Sequence, residues 1–306
     1  MKILITGGSG FVGKPIIKAL ISNIPNCSIL SLTRSLNKNI YQNNCIEWFK
    51  CDLRDKSTYK YCVQQFLPEV VIHLAWEGIP DFSLNQSFQN LQNSINFFDI
   101  VFSCKSVKKV IVTGSCFEYN NPNNFCKEND SCASKDYFTW AKNSLRDFLQ
   151  LETRKLNIVY CWTRLFYVYG PNQRAASLIP TIINSLLSER IPDIRTPKNA
   201  NDFIYVDDVA SGILNMINNE ISSGIYNLGS GFSTEILDIC KICENIINGT
   251  SKLSNQLESQ TQNTIKTVDF WADLELSKNI LKWKPITTFE VGVKRMIDIY
   301  IENNKK

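Results

Sequence analysis

The stretch Lys2-Ile-Leu-Ile-Thr-Gly-Gly-Ser-Gly-Phe-Val-Gly13 decides the fold. An apolar run long enough for one buried strand passes directly into a turn holding Gly7, Gly8, Gly10 and Gly13, and the helical pattern Ile16, Ile17, Leu20, Ile21 follows. That order suits a dinucleotide pyrophosphate resting on the helix N-terminus, where unpaired N–H groups and the helix dipole favour an anion. A side chain at Gly10 would keep the backbone from the phosphate, and one at Gly13 would push the helix off the strand. Phe11 and Val12 belong to the same turn, so Gly7, Gly10, Phe11, Val12 and Gly13 are read as cofactor-binding. A turn that only packs is the bland alternative; the position of this one, after a buried strand and before a helix, argues against it.

With 306 residues and 44% hydrophobic content, the chain can bury a large core in one large domain or two smaller ones. Its net charge of +4 contains no run of five basic residues, so neither a nucleic-acid partner nor a membrane surface is expected. The chain opens on a strand rather than a basic segment followed by an apolar one, and no apolar run reaches the length of a membrane span; a cytoplasmic location is expected. The eleven cysteines lack a zinc-ribbon pattern. Cys240 and Cys243 share one face of a helical pattern and read as small buried side chains, so no metal site and no structural disulfide are expected.

Outward from the first turn, strands and helices alternate, the pattern of a parallel sheet covered on both faces. Strands are expected at Ser28–Thr33, Ile46–Phe49, Val70–Leu74, Lys108–Thr113 and Ile158–Leu165, with long helices over Leu84–Cys104 and Phe138–Lys155. Beyond Gly170-Pro171 helices mix with short strands and turns. Further helices are expected near Ser177–Ser188, Val206–Met216 and Thr234–Ile247. The fold expected is α/β, a Rossmann-type doubly wound parallel sheet with a smaller mixed α/β substrate-binding lobe. Residues 1–170 and 203–230 would form the dinucleotide-binding domain, and 171–202 and 231–306 the lobe. A site between them would lie over the strand ends, where open α/β sheets bind ligands.

An NAD-preferring unit carries an acidic residue at the end of its second strand. Here Thr33-Arg34-Ser35 stands in that place. A guanidinium and two hydroxyls suit a 2′-phosphate, so NADP(H) is expected over NAD(H), with an ordinary solvated Arg34 and either cofactor as the alternative. Asp52 and Leu53 would flank the adenine, and Leu74 and Ala75 would lie against the pyrophosphate and ribose. His73, the chain's one histidine, falls within a buried strand and reads as a core residue.

Taken together, these motifs resemble the extended short-chain dehydrogenase/reductase family, in the NAD(P)-dependent branch of nucleotide-sugar epimerases, dehydratases and ketoreductases. The resemblance runs through the glycine turn, Asp52-Leu-Arg54, His73-Leu-Ala75, Asn90, Thr113-Gly-Ser115 and Arg164-Leu-Phe-Tyr-Val-Tyr-Gly-Pro171. Asp202-Phe-Ile-Tyr-Val-Asp-Asp-Val209, Tyr226-Asn-Leu-Gly-Ser230 and the segment Ala272–Pro285 extend it nearly end to end. It implies hydride transfer at a sugar carbon, with a tyrosine moving the proton while a lysine and a serine assist. Ser115 and Lys142 match that serine and lysine, and Lys142 would also hold the nicotinamide ribose. Phe166 matches a residue near the nicotinamide. Phe117, Tyr167, Arg174, Leu178, Arg195 and Asn201, with Cys116, are the expected contacts of a nucleoside-diphosphate sugar. The family commonly forms homodimers through the two long helices.

The departures from the family pattern matter as much. Dehydratases of the family carry an Asp-Glu pair after the serine, where this chain has Cys116-Phe117, so water elimination is not expected. The segments His73–Pro80 and Thr113–Tyr119 look most like reductases of nucleoside-diphosphate 4-keto-6-deoxysugars, and NADPH-dependent reduction of the C4 keto group is the expected activity. An epimerase with tightly bound nucleotide is the alternative, and a nucleotide-binding member with altered chemistry a third. Cys116 either faces the sugar or, by alternation with Ser115, turns into the core. Counting back four residues from Lys142 reaches Phe138, which has no hydroxyl. Tyr137 is the expected donor if the first helical turn is irregular; Tyr167, Cys116 or water are the others.

Overall fold

Alternation within each strand sorts its side chains into two cores, and that sorting builds the layers. The computed structural model describes residues 1–36 and 43–304. Among them, β1 (Lys2–Thr6), β2 (Ser28–Thr33), β3 (Ile46–Lys50), β4 (Val70–His73) and β5 (Lys109–Ser115) enter the main sheet in chain order. A short strand β6 (Asn124–Cys126) precedes β7 (Val159–Leu165), which pairs with β5. After β8 (Tyr167–Tyr169), β9 (Ala200–Asn201) and β10 (Phe203–Tyr205), the chain returns to the main sheet with β11 (Gly224–Leu228). The seven strands run parallel in the order β11-β7-β5-β4-β1-β2-β3. The order reverses between β1 and β4, and a crevice opens at that reversal.

Ile3 and Ile5 of β1 point to a core shared with helix α1 (Gly13–Asn23), while Leu4 points to the opposite core. Helix α2 (Lys60–Phe66) and the long helices α3 (Leu84–Ser103) and α4 (Tyr137–Leu156) cover that opposite face, through Phe97, Phe98 and Val101 of α3 and Ala141, Leu145 and Leu149 of α4. Helix α5 (Leu178–Leu187) belongs elsewhere, and α6 (Val206–Asn218) joins α1 through Val209, Ile213 and Met216. This is the doubly wound sheet that the alternation of strands and helices along the chain implied.

A third core is separate from both. It gathers Ile179, Ile182 and Ile183 of α5, Ile239, Cys240 and Cys243 of α7 (Ile236–Asn248), and Val293, Met296 and Ile297 of α10 (Phe289–Asn304). Helices α8 (Lys252–Gln260) and α9 (Glu275–Asn279) lie between them in the chain. Two small sheets complete the fold: β10 beside β8, whose Tyr169, Phe203 and Tyr205 join this core, and a four-stranded sheet in the order β12 (Thr234–Glu235), β9, β13 (Asp269–Ala272), β6, whose Cys126, Phe270 and Ala272 join the core of α1. Asp202 ties them to the main sheet, its fully buried carboxylate accepting from the Ser230, Gly231 and Ala272 N–H groups at 2.6, 3.1 and 3.0 Å.

Two element ends differ from the sequence reading in ways that move site residues. Strand β5 continues through Ser115, because its pairing with β7 runs on to Ser115 opposite Leu165. Helix α4 begins at Tyr137, since the Asp136 carboxylate caps it by accepting from Thr139 N at 2.7 Å while the Thr139 hydroxyl accepts from Asp136 N. No helix among the described residues is long and apolar enough to cross a membrane.

Candidate active site

A cleft of about 650 Å³ runs over the C-terminal ends of β1, β2, β4, β5 and β7. At one end lies the glycine turn. Gly7 adopts φ +74°, and a Cβ there would come within 2.9 Å of Ala75 N on the β4 loop. A Cβ at Gly13 would come within 2.3 Å of Gly7 O and 2.6 Å of Gly8 Cα, so the obstacle is the turn itself rather than the strand. At Gly10 the one near atom is Gly7 O at 3.1 Å, which leaves that side of the turn open to a ligand. Helix α1 starts without a capping side chain and without an acidic residue in its first turn, as an anion-binding N-terminus requires. The turn therefore fits a dinucleotide pyrophosphate.

The loop after β4 forms the facing wall. Asn90 of α3 is buried, accepts from Glu77 N at 2.8 Å and donates to Glu77 O at 3.0 Å, which locks the Leu74–Glu77 path over the cleft. His73 lies behind it. Ser94 Oγ donates to Asn90 O at 2.8 Å, which leaves it to accept from His73 Nε2 at 3.1 Å; Nδ1 then accepts from the Thr6 hydroxyl at 2.8 Å. Burial pushes its imidazole down to about 3, and the ring stacks on Phe97, so His73 is a neutral core residue, as its place in the strand suggested.

At the other end Ser115 closes β5 and lines the cleft, its Oγ accepting from Phe117 N at 3.2 Å. Lys142 reaches the same space from the second turn of α4. Its Nζ donates to Thr113 O at 2.8 Å and lies 3.8 Å from the centre of the Trp76 ring. Burial brings its pKa down to about 7, against a small opposing pull from Glu118. Glu118 itself is fully buried, accepting from Ser115 N, Trp162 Nε1, Arg146 and Arg164. It holds the strand end and is closed to a substrate. Among the described residues lining the cleft, Glu77 is the one carboxylate.

Most of the expected residues come together here. Gly7, Gly10, Phe11, Val12, Gly13, Thr33, Arg34, Leu53, Leu74, Ala75, Ser115, Cys116, Phe117, Lys142, Phe166, Tyr167 and Arg174 all line the cleft. Cys116 is buried and its thiol is pushed well up by that burial. Tyr167 is likewise pushed up by burial. Asp52 stays outside the lining because Arg54 holds its carboxylate, with Nε at 3.0 Å. Leu178 begins α5 against the third core, Arg195 is exposed on its loop, and Asn201 is buried on β9 with its Oδ1 unpartnered; none lines the cleft.

The structure does not bring Tyr137 to the cleft. It is 51% exposed, whereas Phe138 is 4% exposed and packs edge-on to Trp76 and Phe117. With Asp136 capping a regular first turn, Tyr137 points about 100° away from Phe138, and no irregularity swings it back. Trp76 and Glu77 are lining residues to which sequence reasoning gave no role. Nothing local marks them; Trp76 is visible only as the residue following His73-Leu-Ala75.

Residues 3–229 match the NAD dependent epimerase/dehydratase family. The chain is 28% identical over 268 residues to a dTDP-D-glucose 4,6-dehydratase of Dictyostelium discoideum, covering 80% of this chain and 62% of that protein. Its fold superposes on UDP-glucose 4-epimerase of Thermotoga maritima, solved with UDP-glucose, with a TM-score of 0.83 at 20% identity, over 99% of this chain and 100% of that one. A dTDP-glucose 4,6-dehydratase of Bacillus anthracis, solved with NAD, gives 0.83 at 19% identity over 100% and 98%.

Proposed function

The chain belongs to the NAD dependent epimerase/dehydratase family, and from that membership we propose that it reduces the C4 keto group of a nucleoside-diphosphate 4-keto-6-deoxysugar. The observation that carries this reading is the composition of the cleft: Ser115 and Lys142 line it together with the glycine turn, while Cys116-Phe117 occupies the place of the acid pair that dehydration needs. Glu118, next in line, is sealed in its own ion pairs. A nicotinamide nucleotide, when bound, supplies the hydride. The glycine turn and the start of α1 would hold its pyrophosphate, Leu53 and Leu74 its adenosine side, and Lys142 and Phe166 its nicotinamide side.

Ser115 would hydrogen-bond the sugar carbonyl oxygen and polarise it for hydride addition. The proton for that oxygen falls to Lys142 in this reading. Its acidity lies near neutral pH, where general acids work best, whereas the Cys116 thiol and the Tyr167 phenol hold their protons far more tightly. Phe117, Tyr167 and Arg174 would bound the sugar and diphosphate. We extend the reading to the division into a dinucleotide-binding part (1–170, 203–230) and a sugar-nucleotide lobe (171–202, 231–306), to a homodimer through α3 and α4, and to a cytoplasmic enzyme.

The test is oxidation of reduced nicotinamide nucleotide against a panel of nucleoside-diphosphate 4-ketosugars. Stoichiometric consumption with one of them is expected. Nucleotide that survives purification, with sugar interconversion and no net consumption, would replace the reductase with an epimerase.

A further inference from the structure

We infer that Glu77 selects the cofactor, favouring a nucleotide with a free ribose 2′-hydroxyl over one with a 2′-phosphate. The inference rests on the cofactor occupying the cleft as proposed above. Arg34 stands directly after β2, where this architecture places the ribose 2′ substituent. Read alone, it is a phosphate ligand. In the folded chain its guanidinium is paired with Glu77 Oε1 at 3.0 Å, from the loop on the far side of the crevice, and both residues line the cleft.

The neighbouring guanidinium is taken as well. Arg54 holds Asp52 at 2.5 Å, and each pair lies within the field of the other, Arg34 acting on Asp52 and Glu77 on Arg54. Two guanidinium groups and two carboxylates thus form a cluster without net charge at this edge, so that among the described residues lining the cleft there, the one guanidinium, Arg34, is already paired. The Glu77 backbone is held from both sides by Asn90, whose Nδ2 also donates to Gln86 O at 2.9 Å, so its carboxylate stands on an anchored support.

A carboxylate offers acceptors only. A ribose hydroxyl can donate to it, whereas a 2′-phosphate, dianionic or nearly so at neutral pH, is itself an acceptor and is repelled. Binding such a group would also require Arg34 to leave Glu77. The preference read from Arg34 in isolation is therefore reversed by a residue on another loop.

Fluorescence titration of the purified full chain with NADH and NADPH tests this without catalysis. The unmodified protein should bind NADH about tenfold more tightly or better, the scale of one charge-assisted hydrogen bond. Glu77→Gln, which keeps the shape and the Asn90 contacts, should move the ratio toward NADPH by a similar factor, and adding Arg34→Ala should remove that gain. Glu77→Asp serves as the folding control and should retain the NADH preference. Equal or tighter NADPH binding by the unmodified protein, or an unchanged ratio in Glu77→Gln, would overturn the inference while leaving the cofactor site in place. Binding of neither nucleotide would overturn both.

Discussion

Tyr137 and Phe138 are adjacent in the chain but lie on different faces of one helix, and only the one that faces the cleft could serve as a proton donor there. Phe138 faces it, so a phenol belongs there if the chain is to regain the family's usual donor. Tyr137→Phe should leave turnover on a 4-ketosugar within a few-fold of the unmodified enzyme, whereas Phe138→Tyr should raise it. General acid catalysis contributes roughly 10²–10⁴ in rate, so a loss of that size in Tyr137→Phe would return Tyr137 to the mechanism. Lys142 carries a second expectation. Its ammonium is buried and its pKa is lowered to about 7, so the folded protein gives up this proton near pH 7 while the unfolded chain keeps it until the ordinary lysine range. Between those limits the unfolded state binds more protons, and stability due to this group rises with pH, by up to about 1.4 kcal/mol per unit. Denaturant titrations of the unmodified protein and Lys142→Met should therefore differ most to the disadvantage of the unmodified protein below pH 7. The gap should shift in its favour as pH rises from 7 toward 10. A pH-independent difference would place the Lys142 pKa at its ordinary value.

At the scale of elements, α3 and α4 each have one face committed to the sheet and another that is not. Leu84 and Phe88 of α3 and Leu151 of α4 are 51, 50 and 66% exposed. A dimer pairing these helices would cover these side chains. Light scattering at micromolar concentration should give twice the chain mass, and Phe88→Asp, which places a charge on that face without touching the core, should give the monomer. A monomeric unmodified protein would contradict the proposed assembly. The same helices do quieter work inside the molecule. α3 presents Asn90 to the β4 loop, and α4 presents Lys142 to the end of β5, so the site is held by long helices rather than by loops alone.

At the scale of the whole molecule, the cleft exists because the sheet order reverses between β1 and β4 and because Asp202 ties the small sheets to the end of β11. Much of this was written locally. The sheet follows from runs of buried β-branched and leucine residues, and the glycine turn follows from a backbone path that side chains would obstruct; both signals lie within a few residues of chain. The expected strands and long helices accordingly appear within about two residues of their places, a margin usual for element ends, and the cofactor end of the cleft contains nearly the residues named for it. Tertiary structure alone decided the rest. That Arg34 is neutralised by Glu77 and that Glu118 is sealed by Arg146 and Arg164 are outcomes of pairing between side chains distant in the chain. A charged residue carries no local mark of whether its partner will be a ligand or another side chain, because the partner comes from whichever segment the fold lays beside it. The phase of α4 was an intermediate case: the cap at Asp136 is local, but only the packed helix shows that Phe138, and not Tyr137, faces the site.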